Sequence, residues 1–422
     1  MSATDSARRT IEWIDRNRRY VLAAAIQLAL FPFGHWFDTR VFFGTGAGVA
    51  HGLSPYFVYN LTDYYNSPSL VGVVGGIGYA PPWALFLAAL YSIAYVPTGN
   101  PFVMNFAIKV PIILGNLLLA RFVATTLAKK GCDSTAASRA ELLILFNPFL
   151  LYTSTFWNMY DTVVALLMLV SLLFLEEDKP FAAGITLGLS IALKHLALPL
   201  IPLGWIWIAR RSLPTETRLQ KLSAFTSGLV GVAVTFVFLP FYIFGWSVSG
   251  FSAAVTYQTV VTGGFTVYNT IPVNLGTVSI LSILGYLPFI VVLVLYVALR
   301  NRPLNDFKDL TQFAVIILIA FMTTRTFLAE QNLAVIFPLI LFPELLSGRG
   351  FREANQFWIL FLTYTLWNSV ALGFAFLIFP NAFDVTVAIT TSPIVGPIRQ
   401  AFLFGCAVVW LFLGWNYIVR RA

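Results

Sequence analysis

FAAGITLGLSIALKHLALPLIPLGWIWI, residues 181–208, is an apolar run of 28 residues broken by one charged side chain, Lys194, with His195 beside it. As one straight helix the run would be about 42 Å long, well beyond a hydrocarbon core of about 30 Å. Read as two short helices folded back at Lys194–His195, it crosses twice and leaves a cation at the vertex. That reading sets the parity of crossings for the whole chain.

The surrounding composition makes membrane crossing the right frame. The 422 residues are 58% hydrophobic and only 10% charged, against about 25% charged in a soluble domain, and mean hydropathy is +0.80. Apolar spans run at 20–36, 102–128, 140–156, 161–175, 181–208, 222–245, 271–299, 311–328, 332–346, 355–379 and 399–419, with 79–97 ambiguous. The net charge of +8 is no nucleic-acid signal. Basic residues fall in short clusters between spans: Arg8–Arg19, Lys129–Arg139, Arg210–Lys221, Arg300–Lys308, Arg349–Arg352 and Arg420–Arg421. This is the positive-inside pattern, and Arg8, Arg9, Arg16, Arg18 and Arg19 read as the cytoplasmic head of a retained signal-anchor helix.

Placing every cluster inside requires the fold-back at Lys194 and requires 79–97 not to cross. Pro81–Pro82 suits the first turn of a short interfacial helix. The expectation is an all-α polytopic membrane protein of about 12 transmembrane helices with both termini cytoplasmic, built as a single integral membrane domain over 1–422. A long first exoplasmic loop, 37–101, carries juxtamembrane helices. The further outer pieces are 157–161, the Lys194 bend, 246–270, 325–331 and 380–398. All but five of the 26 Lys and Arg then lie at the inner side, the exceptions being Arg40, Lys109, Lys194, Arg325 and Arg399. Of the eighteen acidic residues only Asp38, Asp63, Asp161, Glu330 and Asp384 lie outside. An ionisable group at such depth is expensive and usually has a task or a partner.

Four constellations hold these outer charges. His35-Trp36-Phe37-Asp38-Thr39-Arg40 ends the first span; a partly desolvated Asp38 suits a general base, or it pairs with Arg40 or caps a short helix. Phe146-Asn147-Pro148 and Trp157-Asn158-Met159-Tyr160-Asp161 break the chain between two helices, where Asp161 fits a helix N-terminus. Lys194, amid apolar neighbours, needs an anion or a wet cavity; a phosphate satisfies it, and so does snorkelling. His195 can donate to the same group or to a main-chain carbonyl. In Arg325-Thr326-Phe327-Leu328-Ala329-Glu330-Gln331-Asn332, Arg325 suits a phosphate or pairs with Glu330 or an Asp. Three histidines and two distant cysteines, Cys132 and Cys406, give no zinc spacing and no disulfide. Walker, dinucleotide and nucleophile-elbow motifs do not occur. Asn60-Leu61-Thr62 matches a glycosylation sequon, a match common by chance.

Taken in order, these pieces resemble the GT-C superfamily of membrane glycosyltransferases, in the branch that uses polyprenyl-phosphate sugars and includes the first GPI-anchor mannosyltransferase and bacterial and archaeal relatives. The resemblance rests on Asp38 after the first helix, Gly52-Leu53-Ser54-Pro55-Tyr56, Tyr79-Ala80-Pro81-Pro82, Asn147-Pro148, the Trp157–Asp161 turn, and Gly188 through Lys194 to Pro199. It covers residues 20–210 best, so 1–210 is expected to form the catalytic module and 211–422 a more variable helical module.

The resemblance implies transfer of a sugar, with mannose favoured, from a polyprenyl-phosphate donor to a lipid-linked or glycan acceptor. It implies inversion at C1, an active site on the exoplasmic face of the cell membrane, and no cofactor or metal. Asp38 matches the family's base. Lys194, His195 and Arg325 would bind the donor phosphate, and Arg40, Tyr56, Asp63, Tyr79, Trp157, Asp161, Glu330 and Gln331 the substrates. Many members carry two adjacent acids where this chain has Asp38-Thr39-Arg40; Asp63 or Asp161 would substitute. The partners expected are the donor, the acceptor and membrane lipids, with no nucleic acid. A secondary transporter or lipid flippase with a polar cavity is the alternative, and a non-enzymatic assembly subunit a third reading. The gathering of polar residues at one face and the want of a two-half repeat speak against the transporter.

Overall fold

Two proline-led caps show how this sequence starts its helices. Asn100 accepts the Phe102 N–H through its side chain ahead of Pro101, and Asn147 accepts from Leu150 N ahead of Pro148. Each cap fills an orphan donor, and each proline takes a position where no N–H is needed. The computed structural model describes residues 17–56, 59–60, 73–74, 77–252, 263–270, 283–368 and 371–421. Asp63, the Leu61-Thr62 part of the sequon and the first part of the arginine head lie outside these residues.

In chain order the helices are α1 (Arg18–Ala29), α2 (Trp36–Ala50), α3 (Pro81–Leu90), α4 (Pro101–Lys129), α5 (Ser134–Leu145), α6 (Pro148–Leu151), α7 (Asp161–Glu176), α8 (Pro180–Leu193) and α9 (Ile201–Arg210). They continue as α10 (Thr215–Val232), α11 (Leu239–Phe244), α12 (Leu287–Ala298), α13 (Phe307–Thr323), α14 (Ile336–Leu346), α15 (Arg352–Asn368), α16 (Ala382–Thr390) and α17 (Val395–Arg421). Among the described residues four two-residue strands join them: β1 (Tyr59–Asn60) antiparallel to β2 (Val73–Val74), and β3 (Gly263–Gly264) parallel to β4 (Phe327–Leu328).

Among the described residues, Pro101–Lys129, Thr215–Phe244 and Val395–Arg421 are each long and apolar enough to cross a membrane. The pair Ser134–Phe156 and Asp161–Glu176, bent by 113° at its break, passes the same test together. Shorter apolar helices include Pro81–Tyr95 and the two pieces of the 181–208 run. Two expected spans end early. The first gives way at Ala29 to a turn and then α2, and the 355–379 run leaves the helix at Asn368.

The run 181–208 breaks where its one charge sits. Lys194 is extended, with φ −153° and ψ 126°, between α8 and a 3-10 turn at His195–Leu200 that leads into α9. Hydrogen bonds show that the chain folds back there. Ser171 Oγ donates to Ala183 O at 2.8 Å and Ser190 Oγ to Val164 O at 3.0 Å, so α8 rises antiparallel along α7. Trp207 Nε1 then donates to Leu175 O and Arg211 to Glu176 O, so α9 returns to the far end of α7. Glycines allow α8 to approach α10 closely: a Cβ on Gly184 would stand 2.1 Å from Phe225 O. At the centre, α14 is buried on every side from Ile336 to Leu345, as an all-round apolar helix must be.

The two ends of the bundle differ in charge. At one end the basic clusters meet their acids: Arg19 with Glu141 at 3.1 Å, Lys130 with Glu176, Lys221 with Asp178, and Arg349 and Arg421 with Glu344 at 2.8 and 3.3 Å. Arg210 ties this end to the Arg300 and Arg302 carbonyls. The α8–α9 vertex at Lys194, with Asp161 at the start of α7, lies at the opposite end.

Candidate active site

Asp38 is reached from two segments distant in sequence. His35 caps α2, placing Asp38 in its first turn, where an acidic group is favoured. Trp157 follows a π-turn at Tyr152–Phe156, and Asn158 next to it takes φ +82°, a left-handed conformation that asparagine tolerates. Trp157 Nε1 donates to Asp38 Oδ2 at 2.7 Å, and His35 Nδ1 lies 3.0 Å from the same oxygen. The His35 ring stacks on the Trp157 indole at 4.4 Å and 19°, with Phe374 edge-on to both. Among the described residues both polar contacts fall on Oδ2, and the Asp38 side chain keeps 19% exposure, so Oδ1 is open to a substrate. Burial pushes the Asp38 carboxyl up. The hydrogen bond and charge of His35, the Trp157 N–H and the Lys194 charge outweigh it and hold the group below the usual carboxylate range. Asp38 does not pair with Arg40, which is half-buried, and it is His35 that stands at the N-cap position of α2, its Nδ1 facing both the Asp38 N–H at 3.3 Å and the carboxylate, so that it serves one or the other according to its protonation.

Lys194 Nζ donates to both oxygens of Asp161 at 2.8 Å, the two side chains being 3% and 1% exposed. The rings of Tyr79 and Tyr160 each lie 5.5 Å from the ammonium. The anion that Lys194 needs is therefore present in the chain itself, where Asp161 also opens α7. Arg325 is different. Its Nε donates to Phe327 O at 3.0 Å, its Nη1 contacts His195 Nε2 at 3.2 Å, and it lies over the Phe321 ring. Among the described residues no carboxylate stands within 4.0 Å of Arg325, so the Arg325–Glu330 pair does not form. An arginine has only donors, so it must hold His195 with Nε2 as acceptor.

Glu330 is buried, accepts from Asn368 Nδ2, and stands near enough to His35 and Asp38 to feel both charges. Burial raises its pKa above the ordinary carboxylate value, more than the Asn368 hydrogen bond lowers it. Arg399 donates to the Asn368 carbonyl and to its Oδ1 at 2.8 Å, orienting the amide. Gln331 is buried with Oε1 unpartnered among the described residues. Tyr56 belongs to another cluster, stacked on Phe241 at 5.5 Å beside Trp246 and Phe251; none of its ring contacts is with the Asp38 group.

His35, Asn105, Asn158, Phe374, Asn368 and Arg399 are site neighbours to which the sequence reading assigned no role. Arg399 carried a signal as a cation away from the basic rim, and His35 and Asn158 stood inside two of the constellations of outer charges. Beside Tyr160 and Leu193 an apolar groove of about 240 Å³ opens between α3, α4 and α7, lined by Trp83, Phe86, Pro111 and Ile112 among others.

The bundle has a charge-paired basic end and an opposite polar end that holds Asp38, an arginine with no carboxylate in contact among the described residues, and a lateral apolar groove. Residues 78–329, more than half of the chain, match glycosyltransferase family 87, a family of GT-C type membrane glycosyltransferases. The chain belongs to glycosyltransferase family 87. A comparison with curated proteins finds no match. The matched region contains Tyr79, Trp157, Asp161, Lys194, His195 and Arg325, while Asp38 and Glu330 flank it. Family membership supports a transferase over the transporter, flippase and assembly-subunit readings.

Proposed function

We propose that this glycosyltransferase moves a hexose, with mannose favoured by the resemblance above, from a polyprenyl-phosphate donor to a lipid-linked or glycan acceptor at the exoplasmic side of the membrane, with inversion. The observation that carries the reading is the Asp38 carboxylate, gripped on Oδ2 by Trp157 and His35 and, among the described residues, without a partner on Oδ1. Oδ1 takes the proton of the acceptor hydroxyl as its oxygen bonds to C1; the C1–O bond to the lipid phosphate breaks, and the phosphate leaves with the electron pair. A cation placed beforehand at the leaving group stabilises the charge that develops there. Arg325 is the strongest candidate, because among the described residues no carboxylate in contact offsets its charge, and His195 orients it. Lys194 is already matched by Asp161, so its part is to hold the vertex and bias the local potential, with a direct phosphate contact only if substrate displaces Asp161. Tyr79 and Trp157 frame the sugar, and Arg40, Glu330 and Gln331 flank the acceptor side. The apolar groove at Trp83 and Tyr160 supports a donor that enters sideways from the bilayer with its isoprenoid chain in lipid.

The test uses the full-length protein in lipid nanodiscs with a radiolabelled polyprenyl-phosphate mannose and lipids extracted from the deletion strain as acceptors. Asp38→Asn should lower transfer by about 10²–10⁴-fold, the usual scale of general base catalysis, with an unchanged melting temperature. A folded Asp38→Asn that transfers at the wild-type rate rejects the base assignment. The glycolipid that accumulates on deletion identifies acceptor and sugar.

A further inference from the structure

Lys109 is fully buried in the middle of α4, and among the described residues no carboxylate lies within 4.0 Å of it. Its Nζ donates to two main-chain carbonyls, Leu30 O at 2.7 Å and Phe33 O at 2.6 Å. One helical turn earlier, Asn105 Nδ2 donates to Phe31 O at 2.6 Å and Phe33 O at 2.9 Å. Residues i and i+4 share a helix face, so α4 presents two donors side by side to the turn that follows α1. That turn needs them. Leu30 is the C-cap of α1 and Phe31 and Phe33 lie just beyond it, where carbonyls fall outside the helix ladder and a donor at a helix C-terminus is favoured.

A lysine buried with no carboxylate in contact among the described residues is a costly way to satisfy carbonyls. What it holds gives the cost a purpose. The turn 30–33 leads directly to His35, the cap that contacts Asp38. The other end of Asn105 reaches the second half of the site: its Oδ1 accepts from Asn158 Nδ2 at 2.6 Å, and Asn158 Nδ2 also donates to Thr39 Oγ1 at 3.1 Å. Asn158 directly follows Trp157, whose N–H holds Asp38. Space here is tight, since a Cβ on Gly34 would meet Thr39 Oγ1 at 2.5 Å and Asn158 Nδ2 at 3.2 Å. One face of α4 therefore grips both segments that converge on the carboxylate.

We propose that Lys109 and Asn105 are positioning residues of the transfer reaction, a brace that sets Asp38 against His35 and Trp157 without touching substrate. The inference rests on the reading of Asp38 as the base. Lys109→Met and Asn105→Leu remove the donors at similar volume; each is measured full-length in nanodiscs with the same labelled donor. Small displacements of a reacting group cost up to about 10²-fold. The expected result is a fall in kcat of about tenfold to 10²-fold, with the donor KM within about threefold. The acid limb of the rate profile should also move up, because a displaced Asp38 loses the contacts that lower its pKa and keeps the burial that raises it.

A purely structural role would lower stability and leave the acid limb in place. If Lys109→Met does not fold, Asn105→Leu, which removes no charge, decides the matter. Wild-type kcat and acid limb in either folded variant overturn the brace while Asp38→Asn remains inactive. Full transfer by Asp38→Asn overturns the base assignment instead.

Discussion

Trp157→Phe isolates one hydrogen bond at the candidate base. The substitution removes the indole N–H that donates to Asp38 Oδ2 at 2.7 Å and keeps an aromatic ring to stack on His35. A hydrogen bond to a charged group contributes about 1.5–3 kcal/mol, and a change of one in pKa corresponds to about 1.36 kcal/mol. The N–H stabilises the ionised carboxylate, so its loss must raise the Asp38 pKa. The acid limb of kcat/KM should climb by about one to two pH units. At neutral pH Asp38 stays ionised, since its starting point is below the usual carboxylate range. The rate there should fall less than about tenfold, from orientation alone. The assay is labelled-donor transfer across an acid-to-neutral pH series, with melting temperature recorded at each pH. An acid limb that does not move in folded Trp157→Phe would refute the argument that this contact tunes the base.

Three other outcomes are expected. Lys194→Met strands the Asp161 carboxylate in the interior and should destabilise the protein by about 3–5 kcal/mol; Lys194→Met with Asp161→Leu should regain most of that in thermal unfolding, and wild-type transfer by the double variant would leave Lys194 no substrate role. Glu330 has a raised pKa in the folded state, so the folded protein binds its proton more readily than the unfolded chain, and stability from this group grows as pH falls through the raised value. Glu330→Gln should therefore melt higher than wild type at neutral pH and converge with it in acid. Gly184→Ala drives a methyl into Phe225 O and should cost about 1–3 kcal/mol, whereas Gly231→Ala, with nothing within 4 Å of its Cβ, should melt as wild type.

Much of the architecture is legible from local pattern. The break at Lys194 follows from a run too long for one crossing, and the break at Trp157–Tyr160 from the Asn147-Pro148 restart and the Asp161 helix start. The short helix that opens at Pro81 late in the first loop is visible from its proline pair. The early ends at Ala29 and Asn368 are not, because the residues beyond them stay apolar while tertiary hydrogen bonds from Asn105, Lys109 and Arg399 hold their carbonyls. Lys109 and Arg399 stood out as misplaced cations, yet Lys109 meets main-chain carbonyls and Arg399 two such carbonyls beside the Asn368 amide oxygen, and main-chain partners leave no trace in residue identity.

Hydrophobicity and the spacing of basic clusters depend on each residue's own transfer energy, so the sequence by itself settles the membrane setting and the separation of a basic end from a sparse acidic one. Pairing is a property of distance. Lys194 meets Asp161 across 33 residues, Trp157 meets Asp38 across 119, and Arg325 meets His195 across 130. Only the packing decides that Lys194 meets Asp161, that Arg325 meets His195 and, among the described residues, no carboxylate, and that both polar contacts of Asp38 fall on one oxygen. Charge balance in a low-dielectric interior changes within a few ångströms, a scale that linear order does not encode.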